Sequence, residues 1–246
     1  MSPILVRPTG YPHVNTNQES VAATARVLSG PAHTGPMSAD GPHPRNPYDM
    51  DETCQNCPAL VETREQVVHG YGDVEADVIV LGTEPTAGAD RTGVPFTGDE
   101  TGEVVQELLG GLGFSDSPPE STEPDLENVY LTYVTRCHHP DREATDEERR
   151  NCEGYRTAEL RMINPELIVA VGQGALDALA FEYTTRSADD LNVTAEHATT
   201  IRGRGFEILP TLPPTVATDE QWSTFREHFA DELDRDYRQT KGQRRK

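Results

Sequence analysis

Apolar positions along this chain come as short unbroken runs separated by longer stretches of helical spacing. Val78 to Leu81, bounded by Asp77 and Gly82, is a continuous apolar run, the pattern of a strand buried on both faces. From about Thr101 to Leu112, Val104, Val105, Leu108 and Leu109 fall on one helical stripe. Asn128 to Val134 is β-branched and aromatic and predicts a second strand. Asp146 to Ile163 predicts an amphipathic helix with acids in its first turn, where the helix dipole favours them. Leu167 to Val171 predicts a third strand, followed after Gly172 by a short helix over Gly174 to Ala180. Phe206 to Leu209 predicts a fourth strand. Asp219 to Arg235 predicts a last helix, with Trp222, Phe225 and Phe229 at helical spacing. Strands alternating with helices predict a three-layer α/β/α sandwich around a mostly parallel four-stranded sheet. Ligands of such sheets sit beyond the carboxyl ends of the strands. That singles out Gly82–Gly98, Tyr133–Arg142 and Pro210–Thr215.

The two ends break the pattern. Residues 1–48 hold eight of the 19 prolines and predict a disordered extension, with one short helical stretch near Ser20 to Leu28. Residues 236–246 predict a basic tail that frays, which leaves 49–235 as the folded domain. Composition then changes the picture. The 246 residues carry 42 Asp and Glu against 21 Lys and Arg, a formal net charge of −21. Only Lys241 and Lys246 are lysines. Acid excess with lysine nearly absent predicts a halophilic protein, one that works in concentrated salt, where self-repulsion is screened. A disordered acidic chain is the competing reading, and the apolar runs argue against it. No apolar stretch approaches the ~18 residues of a membrane span. The first residues are too short an apolar run for a signal peptide. A cytoplasmic monomer without membrane contact is the expectation.

The cysteines are Cys54, Cys57, Cys137 and Cys152. In a reducing compartment four cysteines point to metal or catalysis more than to disulfides. A Cys-x-x-Cys presents two thiolates from one tight loop, and the fold must bring the second pair to it. Four thiolates allow a zinc site or an iron–sulfur cluster. A redox pair plus two buried cysteines is the bland alternative. Spacing alone leaves these open.

Residues 54–72, Cys-Gln-Asn-Cys-Pro-Ala-Leu-Val-Glu-Thr-Arg-Glu-Gln-Val-Val-His-Gly-Tyr-Gly, resemble the opening of the iron–sulfur uracil-DNA glycosylases, families four and five of that superfamily. Arg91-Thr-Gly-Val-Pro-Phe-Thr-Gly-Asp99 resembles family five especially. Val129 to Cys137 is similar to the strand leading to the third cluster cysteine, and Asn164 to Gly172 to the next strand. The resemblance runs from about Asp51 to Phe229. It implies a structural [4Fe-4S] cluster on Cys54, Cys57, Cys137 and Cys152, and DNA containing uracil or another damaged base as the partner.

Such an enzyme flips a nucleotide out of the duplex and cleaves its N-glycosidic bond. It needs a flat pocket, a reader for the base edge and electrostatic help for the departing base and the cationic sugar. The resemblance places the base-stacking ring at Phe96. The other family positions depart from the pattern. The first loop reads Gly82-Thr-Glu-Pro-Thr86, with Thr83 at the usual acid position and Glu84 one place later. Tyr133 stands where an asparagine reads the base. Pro213-Pro214-Thr215 stands where a His-Pro-Ser loop supplies a donor, and Pro213 offers neither a side-chain donor nor an N–H. Three readings follow: glycosylase chemistry with Glu84 or Asp99 as the catalytic carboxylate, activity on a base other than uracil, or a catalytically inactive module that binds DNA or a protein. Thr83, Phe96 and Tyr133 are the candidate base contacts. Arg136, Arg142 and Thr215 are the candidate DNA contacts. Each has a bland alternative. Phe96 can be core, Glu84 can bind loop backbone, and Asp99 can cap the helix that follows it. His138 and His139 read as surface loop, and the helix arginines as partners of neighbouring acids.

Overall fold

The structure is a computed structural model and describes residues 43–235. Four strands form the centre of the sheet: β2 (Val78–Gly82), β3 (Val129–Tyr133), β4 (Leu167–Val171) and β6 (Glu207–Thr211). They are mutually parallel in the order β3-β2-β4-β6. The sheet is wider than the four strands expected. Two-residue strands β1 (Tyr71–Gly72) and β5 (Ile201–Arg202) add antiparallel edges, giving six. Two residues are too few to carry an alternation, so the pattern of apolar positions does not announce them.

The central strands alternate their side chains between two cores. Val78, Val80, Val169 and Leu209 pack with Val105, Leu108 and Leu109 of α3 (Glu100–Gly111) and with Phe225 and Phe229 of α7 (Asp219–Leu233). Ile79, Leu81, Ile168 and Ile208 pack on the other face. There they meet Leu160 and Ile163 of α4 (Asp146–Ile163), and Leu176 and Leu179 of α5 (Gln173–Tyr183). Burial on both faces is why these strands read as unbroken apolar runs.

The helices begin where their caps say they should. Thr145 and Glu148 form a capping box at the start of α4, and Thr218 with Gln221 another at α7. At the far end of α4, Asn164 takes the left-handed conformation with φ 52° and turns the chain into β4. Short helices α1 (Pro58–Thr63), α2 (Ala87–Thr92) and α6 (Val193–Glu196) decorate the connections. Residues 43–48, assigned by sequence to the extension, lie against the domain. Arg45 pairs with Glu123 at 2.6 Å, and the Tyr48 and Tyr130 ring centroids are 6.0 Å apart. The stretch near Ser20 to Leu28 and the 236–246 tail lie outside the described residues. No helix among the described residues is long and apolar enough to cross a membrane.

Candidate functional site

Strand register lines up the candidate positions. Gly82 is level with Tyr133 on one side and Val171 on the other, and Val171 is level with Thr211. The loops leaving these residues therefore share one edge of the sheet, where parallel sheets place their ligands.

Phe96 and Tyr133 are in contact. Their ring centroids are 4.7 Å apart at 34°, and they are 4% and 1% exposed. The Tyr133 hydroxyl accepts from the Phe96 backbone N–H at 3.0 Å. Gln106 donates to the Phe96 carbonyl at 3.1 Å. Both bonds hold Phe96 at φ 55°, a strained left-handed conformation for an aromatic residue. Gly82 lets the two rings approach the sheet. A Cβ there would lie 2.6 Å from the Tyr133 ring and 2.8 Å from Phe96 Cζ. Burial pushes the Tyr133 phenol up, so it stays neutral. Tyr133 thus covers a face of the ring that the sequence assigns to base stacking.

The two candidate carboxylates differ sharply. Asp99 has both oxygens engaged: Oδ1 accepts from Gly102 N at 3.0 Å, capping α3, and Oδ2 accepts from Gly88 N at 2.9 Å, bracing α2. Glu84, half-buried in the loop after β2, accepts one bond through Oε2 from Ala144 N at 2.6 Å. Burial raises its pKa above the ordinary glutamate value. His138, on the loop after β3, packs against this loop, its Nδ1 2.9 Å from the Pro85 carbonyl. A carbonyl can only accept, so Nδ1 carries the hydrogen, and a neutral ring leaves Nε2 as an acceptor. Sequence reading set His138 aside; only tertiary contact shows that it adjoins Glu84. Thr83 donates its hydroxyl to the Val171 carbonyl at 3.4 Å, while its own carbonyl accepts from Thr135 N at 3.2 Å. Thr215 is exposed on the loop after β6. Beside it Val216 is 65% exposed, a large apolar side chain in water that sequence reading passed over.

The arginines sort by burial. Arg136 is expected by sequence at a DNA phosphate, and the structure corrects this. Its side chain is 0% exposed and pairs with Glu159 at 2.6 Å, with Thr132 also bonded to it. A guanidinium enclosed this way does not reach a surface ligand. Glu159 also accepts from Thr132, Tyr130 and Gly70 N, so the buried carboxylate is fully networked. Arg142 is half-exposed but held by both Glu148 oxygens at 2.8 Å. Arg149 and Arg156 pair with neighbouring acids. Arg150 is exposed and, among the described residues, has no ion pair.

Cys54, Cys57, Cys137 and Cys152 line one enclosed cavity and form no disulfide. Cys57 caps α1, Cys137 follows β3 and Cys152 lies in α4. Among the described residues, no group of three or more His, Cys, Asp or Glu side chains is gathered to hold a single metal ion. Nitrogen donors reach the sulfurs: Arg64 Nη1 to Cys137 Sγ at 3.1 Å and Asn151 Nδ2 to Cys57 Sγ at 3.5 Å. Burial pushes the Cys152 thiol up to about 11 and raises Cys137 as well. Any metal must therefore displace thiol protons as it binds.

Comparison with known proteins fits this arrangement. The family model of the uracil DNA glycosylase superfamily matches residues 69–233. A type-5 uracil-DNA glycosylase of Thermus thermophilus is 37% identical over 156 residues, covering 55% of this chain and 71% of that one. A type-5 enzyme of Pyrobaculum aerophilum is 28% identical over 181 residues, covering 66% and 78%. A type-4 enzyme of Thermotoga maritima is 35% identical over 124 residues, covering 50% and 58%. The matched segment takes in every strand of the sheet and closes with α7, and the chain belongs to the uracil DNA glycosylase superfamily.

Proposed function

We propose that this protein is a DNA base-excision glycosylase that takes up a flipped uracil or another damaged base at the edge formed by Gly82, Tyr133, Val171 and Thr211. Glu84 is the carboxylate that orients water or stabilises the cationic sugar. The observation that carries this assignment is the contrast between the two acids: Asp99 is consumed by two backbone bonds, while Glu84 makes one and keeps an oxygen available. His138 beside it supplies an imidazole acceptor. Phe96 is the stacking ring. A strained backbone over-determined by its surroundings is typical of functional positions. Base entry then requires the Tyr133 ring to leave Phe96, so Tyr133 controls which bases are admitted. Val216 is suited to fill the gap left in a duplex by an extruded nucleotide, as apolar wedges do. In this reading the exposed Arg150, and Arg142 when released from Glu148, meet phosphate.

The four cysteines hold a [4Fe-4S] cluster in this reading. The cavity they share, the absence of disulfides between them and the N–H donors aimed at sulfur support it. Its role is to fasten α1 and the loop after β3 to α4. The acid-rich, lysine-poor composition supports a protein that works in concentrated salt.

One observation favours a second reading. With Phe96 and Tyr133 closed on each other, the protein would bind DNA without releasing a base. The two separate in concentrated KCl on duplexes and single strands carrying uracil, hypoxanthine or xanthine. Base release from any of them supports the glycosylase; retained DNA binding with no release supports the binding module.

A further inference from the structure

A four-thiolate [4Fe-4S] centre is dianionic in its usual oxidised state, and burying that charge demands compensation. Two arginines, Arg64 and Arg136, line the cysteine cavity. Arg64 donates to Cys137 Sγ at 3.1 Å and, through its other nitrogen, to the Cys54 carbonyl at 2.5 Å, so it is held in place against the loop that carries two of the cysteines. Arg136 borders the cavity from within the fold. Its two terminal nitrogens are used by Thr132 and Glu159, but its buried Nε has no hydrogen-bond partner. An unpaired buried guanidinium N–H is costly; a cluster sulfide or thiolate in the cavity would supply an acceptor. Asn151, exposed on α4, adds a neutral donor to Cys57 Sγ at 3.5 Å.

Building on the cluster reading of the four cysteines, we propose that Arg64, Arg136 and Asn151 are positioning residues that set the reduction potential of the metal centre. Each N–H···S bond and each nearby positive charge favours the more negative, reduced form. Removing one therefore lowers the midpoint, whichever one-electron couple the centre uses. The role replaces the phosphate contact that sequence assigns to Arg136, and it gives a use to an enclosed arginine that lines the cysteine cavity and whose Nε is otherwise unpartnered.

The test is film voltammetry, with iron and sulfide analysis, on the anaerobically purified full chain in concentrated KCl. The variants are Arg64→Met, Arg64→Lys and Asn151→Ala. Arg64→Met is expected to raise the oxidised-to-reduced ratio at a fixed potential about tenfold, a fall of about 59 mV for one electron. Asn151→Ala should shift the midpoint the same way by less, and Arg64→Lys should stay closest to wild type. Iron-loaded Arg64→Met and Asn151→Ala with the wild-type midpoint would overturn the proposal. If Arg64→Met does not retain iron, Asn151→Ala decides alone: a lowered midpoint supports the proposal and an unchanged one overturns it. Zinc without iron and sulfide in the wild-type protein is a different result. It removes the cluster reading itself, and the proposal with it.

Discussion

Glu84 and Asp99 are both carboxylates on loops near one end of the sheet, yet their surroundings give them different work. Asp99 ties the start of α3 to α2 through two backbone N–H groups. Replacing it with alanine should cost about 1 kcal/mol or more, as lost N-caps do, seen as a lower melting temperature with base release retained. Glu84 carries a raised pKa because burial opposes its ionisation. If the ionised form acts on the sugar or water, release rises with pH along a limb above the ordinary glutamate value of 4.5. That limb should vanish in Glu84→Gln. The same burial makes ionised Glu84 a cost to the fold, so its contribution to stability is present at low pH and lost as pH rises through the raised value. Of these two residues, sequence could nominate both but not choose. The contact between Asp99 and Gly88 spans a turn of tertiary structure, and the freedom of Glu84 shows only once Ala144 is placed beside it.

At the scale of elements, α4 carries much of the molecule's polar organisation. At its start, the Arg142 guanidinium holds Glu148 down to about 2, far below its usual 4.5. This stabilisation is complete above the usual value and is lost as pH falls through about 2. Glu148→Gln should therefore lower the melting temperature at neutral pH and flatten its decline in acid. Near the C-terminal end of the same helix, Glu159 pairs with Arg136 at 2.6 Å. Arg136→Met alone leaves a buried carboxylate unpaired and should cost about 3–5 kcal/mol in denaturant unfolding at equal metal content. Adding Glu159→Gln should recover a large part of that loss. The central strands and α3, α4, α5 and α7 were legible because each carries a run or stripe of apolar residues set by burial. The Arg136–Glu159 pair was not, since nothing in local patterning marks which arginine the fold encloses. The two-residue edge strands and the six-residue helices α1 and α2 likewise depend on neighbours that only the folded chain supplies.

Across the whole molecule the formal net charge is −21. Buried acids such as Glu159 and Glu148 are paired, whereas many of the remaining carboxylates face solvent and repel one another. Screening should raise the melting temperature steadily as KCl increases from dilute to molar, beyond the gain of a charge-balanced protein of the same size. The same screening weakens phosphate contacts. Under the proposed function, recognition of DNA should then rest on shape, stacking at Phe96 and the wedge at Val216 more than on arginines. Single-turnover base release in concentrated KCl, by wild type and Glu84→Gln on duplexes carrying uracil, hypoxanthine or xanthine, tests that central account most directly. The account predicts release of at least one base by wild type and a loss of about 10²–10³-fold in Glu84→Gln with no fall in melting temperature. Release of no base by wild type, or undiminished release by Glu84→Gln, would contradict it.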